Sequence, residues 1–262
     1  MEERLDLRLS KMYGLTRAKA QSYIKNGSVL VDGKVCCKPS FLVDENCIEL
    51  VSKERYVSRG AYKLLGAIED FKLDFTGKVV LDIGASTGGF TQVALLQGAL
   101  KVYAVDVGDG QLDKTLLASE KVVNIEKTDF RDITLSQVAD TDIIVGDISF
   151  ISLTKILPKI KSLFGNEKEM VLLFKPQFEC GKQLARKGKG IIKDKKVHIF
   201  LLNEFLNFCK DLGFTVVDIS PSSIKGKGGN IEYLIHFKKD NNCENFTKNI
   251  ENIVDFAFKN AK

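Results

Sequence analysis

Two lysines and two carboxylates, Lys63, Asp147, Lys175 and Glu232, stand at the margins of apolar stretches and have the chemical types needed for proton transfer. Lys175 closes the run Val171 to Phe174, Asp147 closes Ile143 to Gly146, and Glu232 opens a run that ends at Phe237. A lysine placed after several apolar residues is costly to bury unless it is paired or used. A group of two amines and two carboxylates can orient a weak nucleophile and take its proton. It can also be an ion-pair network that only ties strands together. Histidine offers little, with His198 and His236 alone in 262 residues, so a histidine base or multi-histidine metal site has almost no material and no metal is expected.

A second group lies around a glycine turn. Val79-Val80-Leu81-Asp82-Ile83 runs into Gly84-Ala85-Ser86-Thr87-Gly88-Gly89, the pattern of a buried strand feeding a tight turn and then a helix. Glycines there let the backbone approach a ligand closely. Ser86 stands where a dinucleotide fingerprint has its second glycine, which argues for a cofactor without a pyrophosphate. The expected contacts are the backbone of Gly84, Ala85, Ser86 and Gly88, with Asp82 meeting a positively charged amino group. Asp106, 22 residues past Gly84, is placed to accept from ribose hydroxyls. Asp129 and Phe130, after the third strand, would meet an adenine amino group and ring. One acid at a strand end is as readily a solvated turn residue, but three at successive strand ends behind a glycine turn form a set.

The elements that must position these groups read as follows. From Lys78 onward, apolar runs alternate with amphipathic segments: Val79 to Ile83, Val102 to Asp106, Val122 to Ile125, Ile143 to Asp147, Val171 to Phe174 and Thr215 to Ile219. That alternation predicts a mostly parallel α/β sheet covered on both faces, with Asp147 and Lys175 at the carboxyl edge where such sheets bind ligands. Glu232 to Phe237 follows the turn-rich stretch 225–230 and is expected to return antiparallel, as the last of seven strands. Ser58 is expected to cap a helix reaching Phe71 that carries Lys63. Residues 52–58 read as a linker, 59–239 as the sheet domain, and 240–262 as a polar connector and helix whose docking the sequence leaves open.

Residues 1–51 read as a small α+β unit. A helix over Leu5 to Tyr13 precedes one capped by Thr16 and stopped at Gly27, and the turn Asp32-Gly33 joins Val29-Leu30-Val31 to Lys34-Val35 as a hairpin. Between Arg4 and Lys38 eight basic residues, among them Arg8, Arg17, Lys19 and Lys34, face two acids, a charge asymmetry suited to RNA phosphates or to an ordinary solvated helix face. A second basic run, from Lys182 to Lys196 with Arg186, Lys187 and Lys189, lies after Lys175 beside the expected site. The formal net charge of +5 is only a mild argument for a polyanionic partner. Six cysteines without Cys-x-x-Cys spacing suggest a reduced, cytoplasmic protein, and no segment has the length and apolarity of a membrane span.

Two resemblances sharpen these readings. Arg4-Leu5-Asp6, Thr16-Arg17-Ala18-Lys19-Ala20 and Val31-Asp32-Gly33-Lys34 resemble the small RNA-binding domain of ribosomal protein S-four. The glycine turn with its three acids resembles the S-adenosylmethionine-binding fold of class I, Rossmann-like methyltransferases. Ser58-Arg59-Gly60-Ala61-Tyr62-Lys63, the turn 82–91, Gly146-Asp147-Ile148-Ser149-Phe150 and Phe174-Lys175-Pro176-Gln177-Phe178-Glu179 together resemble the TlyA family, within the FtsJ-like group. Arg55-Tyr56-Val57 is similar to that family's interdomain linker, with Tyr56 where tryptophan is usual. The resemblance implies S-adenosylmethionine as cofactor and ribosomal RNA or a ribosomal subunit as partner. It implies methyl transfer to the ribose 2′-hydroxyl of a cytidine, a Lys-Asp-Lys-Glu tetrad of Lys63, Asp147, Lys175 and Glu232, and Arg59 among the RNA contacts. A monomer is expected. Three rival readings are a base methyltransferase using Cys180 as nucleophile, a non-catalytic RNA-binding factor, and a membrane-lytic protein.

Overall fold

A computed structural model describes residues 2–25, 28–50, 56–181, 190–226, 228–238 and 246–260. The chain divides into two units, Met1–Arg55 and Tyr56–Lys262.

The first unit packs two helices, α1 (Leu5–Tyr13) and α2 (Arg17–Lys25), on short strands. Strand β1 (Glu3–Arg4) pairs with β4 (Leu42–Val43), while β2 (Val29–Val31) lies between β3 (Lys34–Val35) and β5 (Ile48–Leu50). Leu5, Leu9, Ala20, Ile24 and Val29 form a core with no exposed surface. The Thr16 hydroxyl accepts from Lys19 N–H at 3.3 Å, as its expected capping role requires. Gly27, the expected stop, lies outside the described residues. Asp32 and Gly33 both have positive φ, 49° and 75°, which gives the hairpin its tight turn, and Asp32 accepts from Cys47 N–H at 2.8 Å.

In the second unit a seven-stranded sheet has the order β11-β12-β10-β9-β6-β7-β8. The strands are β6 (Val79–Ile83), β7 (Lys101–Val105), β8 (Val122–Ile125), β9 (Ile143–Gly146), β10 (Glu169–Phe174), β11 (Val216–Pro221) and β12 (Tyr233–Phe237). All neighbouring pairs from β10 to β8 are parallel, and β12 runs antiparallel between β10 and β11. Side chains alternate across β6: Leu81 and Ile83 join the larger core, and Val80 joins the smaller one with Leu64, Phe75 and Phe90. Its helices among the described residues are α3 (Gly60–Phe71), α4 (Gly89–Leu96), α5 (Lys114–Leu117), α6 (Leu135–Val138), α7 (Leu157–Phe164), α8 (Pro176–Glu179), α9 (Lys195–Asp211) and α10 (Ile250–Asn260); α3 and α4 supply part of the smaller core, and α9 and α10 part of the larger. The helix whose docking the sequence left open therefore belongs to this unit, with Ile250, Val254 and Ala257 buried.

Two expectations are corrected. Ser58 does not cap α3: the residue before the helix is Arg59, with no side-chain cap, and a Cβ placed on Gly89 would lie 2.2 Å from the Ser58 hydroxyl. Ser58 thus packs against the start of α4. The expected linker extends too far, because Tyr56 is buried in the smaller core and Val57 N–H donates to the Gln92 side chain at 2.7 Å.

Candidate active site

The parallel strands end at one rim, and the residues just past them meet there. Asp147 follows β9, Lys175 follows β10 and precedes α8 (Pro176–Glu179), and Lys63 projects from α3. Because β12 enters the sheet from this side, Glu232 stands at its beginning. The four form one chain: Lys175 Nζ lies 2.5 Å from Asp147 Oδ1, Lys63 Nζ lies 3.0 Å from Asp147 Oδ2, and Lys63 Nζ lies 2.8 Å from Glu232 Oε2. Lys63, Lys175 and Glu232 are buried, whereas Asp147 keeps 20% of its side chain exposed. Burial alone disfavours both charged forms. At Lys63 the neighbouring Asp147 and Glu232 outweigh it and raise the ammonium's pKa, and at Asp147 the two lysines hold the carboxyl below its ordinary range.

The chain extends beyond these four at each end. Lys175 Nζ donates to Ser149 Oγ at 2.7 Å, and Gln177 Nε2 donates to Glu232 Oε1 at 3.0 Å. Neither Ser149 nor Gln177 was singled out from sequence. The available signal for Ser149 was its spacing of two from Asp147, which on an extended segment puts both side chains on one side. Gly226 packs directly against Glu232, whose carboxylate a Cβ there would displace.

Two cavities share this rim. One, of about 570 Å³, is lined by all four charged residues together with Phe178 and Asn230. The other, of about 580 Å³, is lined by Asp106, Asp129, Phe130, Ile148 and Ile156 among others. Gly84, Ser86, Asp147, Ser149 and Phe150 line both. Gly84 has φ of 82°, and a Cβ on it would come within 3.2 Å of the Ile148 Cα, so the turn passes close over the segment after β9. Asp106 fixes that turn by accepting from Ser86 N–H at 2.8 Å and Gly108 N–H at 2.7 Å.

The other sequence-derived positions divide. Ala85 lines the first cavity, and Gly88, with φ of 93°, starts α4 against Leu116. Asp129 lines the second cavity, but its carboxylate already accepts from the Arg131 guanidinium at 2.6 and 3.0 Å, which holds its pKa down. Phe130 is almost wholly buried and forms a wall of that cavity. Asp82 lines neither cavity. The alternation of β6 turns it toward α4, where it is fully buried and accepts from Thr91 Oγ1 at 2.7 Å. The residue expected to meet a cofactor amino group thus stands behind the glycine turn rather than on a cavity wall. Burial pushes the Asp82 pKa up to about 7, and its Oδ1 has no partner among the described residues.

Phe150 was not among the expected site residues, although it closes the stretch Gly146–Phe150 that carries the family resemblance. It lines both cavities, is 91% exposed with φ of 67°, and its ring lies 5.3 Å from that of Phe178, which lines the first. Cys180 lines neither cavity; its thiol lies 3.8 Å from the Gln177 carbonyl. Among the described residues there is no cluster that could hold a metal ion and no helix long and apolar enough to cross a membrane.

In the first unit Asp6, with no exposed surface, collects the basic groups. Arg4 donates to it at 2.9 and 3.1 Å, Arg17 at 3.1 Å and Gln21 at 2.6 Å. Arg8, Lys19 and Lys34 are exposed. Arg59, in the second unit, is exposed and donates to the Lys225 carbonyl at 3.2 Å. Arg186, Lys187 and Lys189 lie outside the described residues.

Comparison with known proteins agrees with this geometry. Residues 56–239 match the FtsJ-like methyltransferase family and residues 3–46 the S4 domain. The chain belongs to the FtsJ-like methyltransferase family. Within it, the chain is 39% identical to the 23S rRNA (cytidine-2'-O)-methyltransferase TlyA of Campylobacter jejuni, covering 90% of this chain and 100% of that protein. It is 44% identical to Hemolysin A of Brachyspira hyodysenteriae, covering 87% and 96%. A solved structure of a hemolysin candidate from Streptococcus thermophilus is 36% identical, covers 99% of this chain and 96% of that one, and superposes with a TM-score of 0.78. This FtsJ-like protein is thus similar to TlyA-named relatives along about nine-tenths of its length.

Proposed function

We propose that this FtsJ-like protein transfers a methyl group from S-adenosylmethionine to the ribose 2′-hydroxyl of a cytidine in ribosomal RNA. The observation that carries this reading is the Lys175–Asp147–Lys63–Glu232 chain, which lines the first cavity and reaches the wall shared with the second through Asp147. The relatives' names supply the nucleoside and the RNA.

The second cavity suits the cofactor's nucleoside. Asp106 and Asp129 offer carboxylate lone pairs for ribose hydroxyls and an adenine amine, Phe130 and Ile148 offer apolar walls, and the Gly84 turn allows close backbone approach. When bound, S-adenosylmethionine supplies a methyl group already activated by a positively charged sulfur. What remains for the protein is alignment and one proton. Lys175 Nζ, in the form carrying two protons, receives the proton of the hydroxyl. Asp147 holds Lys175 in place and stabilises the resulting ammonium, Lys63 fixes Asp147 from its other oxygen, and Glu232 balances Lys63. Phe150 offers a face on which the target base can stack.

Arg4, Arg8, Arg17, Lys19 and Lys34 of the first unit, with Arg59 and the basic run containing Arg186, Lys187 and Lys189, are assigned to RNA phosphates. Mass spectrometry of ribosomal RNA from cells with and without the protein tests the reading. The expected product is 2′-O-methylcytidine; a methyl group on a base, or no difference, overturns it.

A further inference from the structure

The tetrad does not account for how Lys175 is aimed. Its Nζ has two strong acceptors, Asp147 Oδ1 at 2.5 Å and Ser149 Oγ at 2.7 Å, with the Asp147 carbonyl at 3.5 Å, the limit of a hydrogen bond. An amine nitrogen is tetrahedral, so fixing two of its N–H directions leaves one further direction for a substrate. Asp147 and Ser149, two apart on the segment after β9, hold the nitrogen together, and Ser149 is on the wall shared by both cavities.

The segment that carries Ser149 is itself fixed at its far end. Glu179, at the end of α8, accepts from Leu153 N–H at 2.9 Å and from the Ser152 hydroxyl. The peptide segments after β9 and β10 are therefore joined at the lysine and again at Glu179.

We propose that Ser149 is a positioning residue for methyl transfer: together with Asp147 it holds two N–H bonds of Lys175 so that the third bonding direction faces the cavity. This rests on the reading of the site as a ribose methyltransferase. In the step it serves, the hydroxyl O–H bond breaks with its proton passing to Lys175 Nζ. The oxygen forms a bond to the methyl carbon, and the carbon–sulfur bond breaks with its electron pair remaining on sulfur.

Three proteins test this: the full-length wild type, Ser149→Ala, and Ser149→Thr, which keeps the hydroxyl. Single-turnover transfer to ribosomal RNA is expected to fall roughly tenfold or more in Ser149→Ala. RNA KM and affinity for S-adenosylhomocysteine stay within about twofold, and Ser149→Thr recovers most of the rate. Labelling with acetic anhydride, read by mass spectrometry, gives a second measure that does not need activity. Lys175 is expected to be acetylated about threefold faster in Ser149→Ala and at the wild-type rate in Ser149→Thr, on the reasoning that one lost hydrogen bond is worth a factor of that order. Unchanged transfer and unchanged labelling in Ser149→Ala overturn the proposal. So does a loss confined to cofactor affinity, or a threonine variant that behaves like the alanine one. A wild type that makes no 2′-O-methyl product while Lys175 labelling responds as expected would overturn the functional reading instead, leaving the positioning contact supported.

Discussion

Lys175 and Asp147 meet at 2.5 Å across the ends of two adjacent parallel strands, with the lysine buried and the carboxylate partly open to the cavity. This pair is where the sheet delivers an amine to a ligand-sized space, and the consequences of breaking it differ for each partner.

Replacing Lys175 with alanine is expected to lower the rate of methyl transfer by about 10²–10⁴, the usual worth of a positioned acid or base. Affinity for S-adenosylhomocysteine, followed by calorimetry, should stay within a few-fold of wild type. A large loss of cofactor binding would assign Lys175 to the cofactor instead.

Lys63→Ala should behave differently, because it strips both Asp147 and Glu232 of their shared cation in a buried setting. Removing one member of such a network typically costs about 3–5 kcal/mol. A fall in denaturation midpoint alongside the loss of activity is expected, whereas Lys175→Ala leaves Asp147 paired to Lys63.

Asp82 makes stability depend on pH. Its folded pKa is raised to about 7 by burial, so the folded state holds a proton that the unfolded chain releases near pH 4. Between those values the native state binds more protons than the unfolded one, and stability falls as pH rises, by at most about 1.4 kcal/mol per pH unit. Urea titrations at pH 5 and pH 8 should show Asp82→Asn losing this dependence. The same slope in variant and wild type would mean that the carboxyl stays ionised.

Asp6 has the opposite sign. Its contacts with Arg4, Gln21 and Arg17 hold its folded pKa well below the ordinary carboxylate range, so its stabilisation is present above about pH 4 and is lost as pH falls further. Asp6→Ala is expected to cost about 1–3 kcal/mol at neutral pH. Replacing Arg4 and Arg17 by glutamine should flatten the salt dependence of RNA binding by roughly 0.7–0.9 in slope for each lost phosphate contact. An unchanged slope would remove these two arginines from the RNA surface.

Phe150→Ala is expected to leave thermal stability nearly unchanged, since the ring is exposed, while lowering kcat/KM on RNA about tenfold through lost stacking. Equal activity of the two proteins would mean that the ring contacts no base.

Much of this was legible in the residues because parallel strands announce themselves as continuous apolar runs, and a charge that ends such a run must lie at the sheet's rim. Asp106, Asp147, Lys175 and Glu232 are of this kind, whereas Lys63 reaches the rim from helix α3. The surroundings of Asp82 were not legible, because position along a strand does not say which face a residue takes, and its face belongs to α4. Ser149 and Gln177 are short polar residues beside conspicuous charges, and only distances reveal that they complete the network. Phe150 depends on a left-handed backbone that no local pattern requires.

The reversed direction of β12 has a consequence for how this protein must fold. Glu232 arrives beside Lys63 only when that final strand slots between β10 and β11 in one alignment, with Tyr233 opposite Phe174. Sliding it by a single residue would turn every side chain to the other face, taking the acid from its amine and leaving Lys63 one anion short. Sheet assembly is thereby checked by charge balance, and a misaligned chain is not merely inactive but less stable.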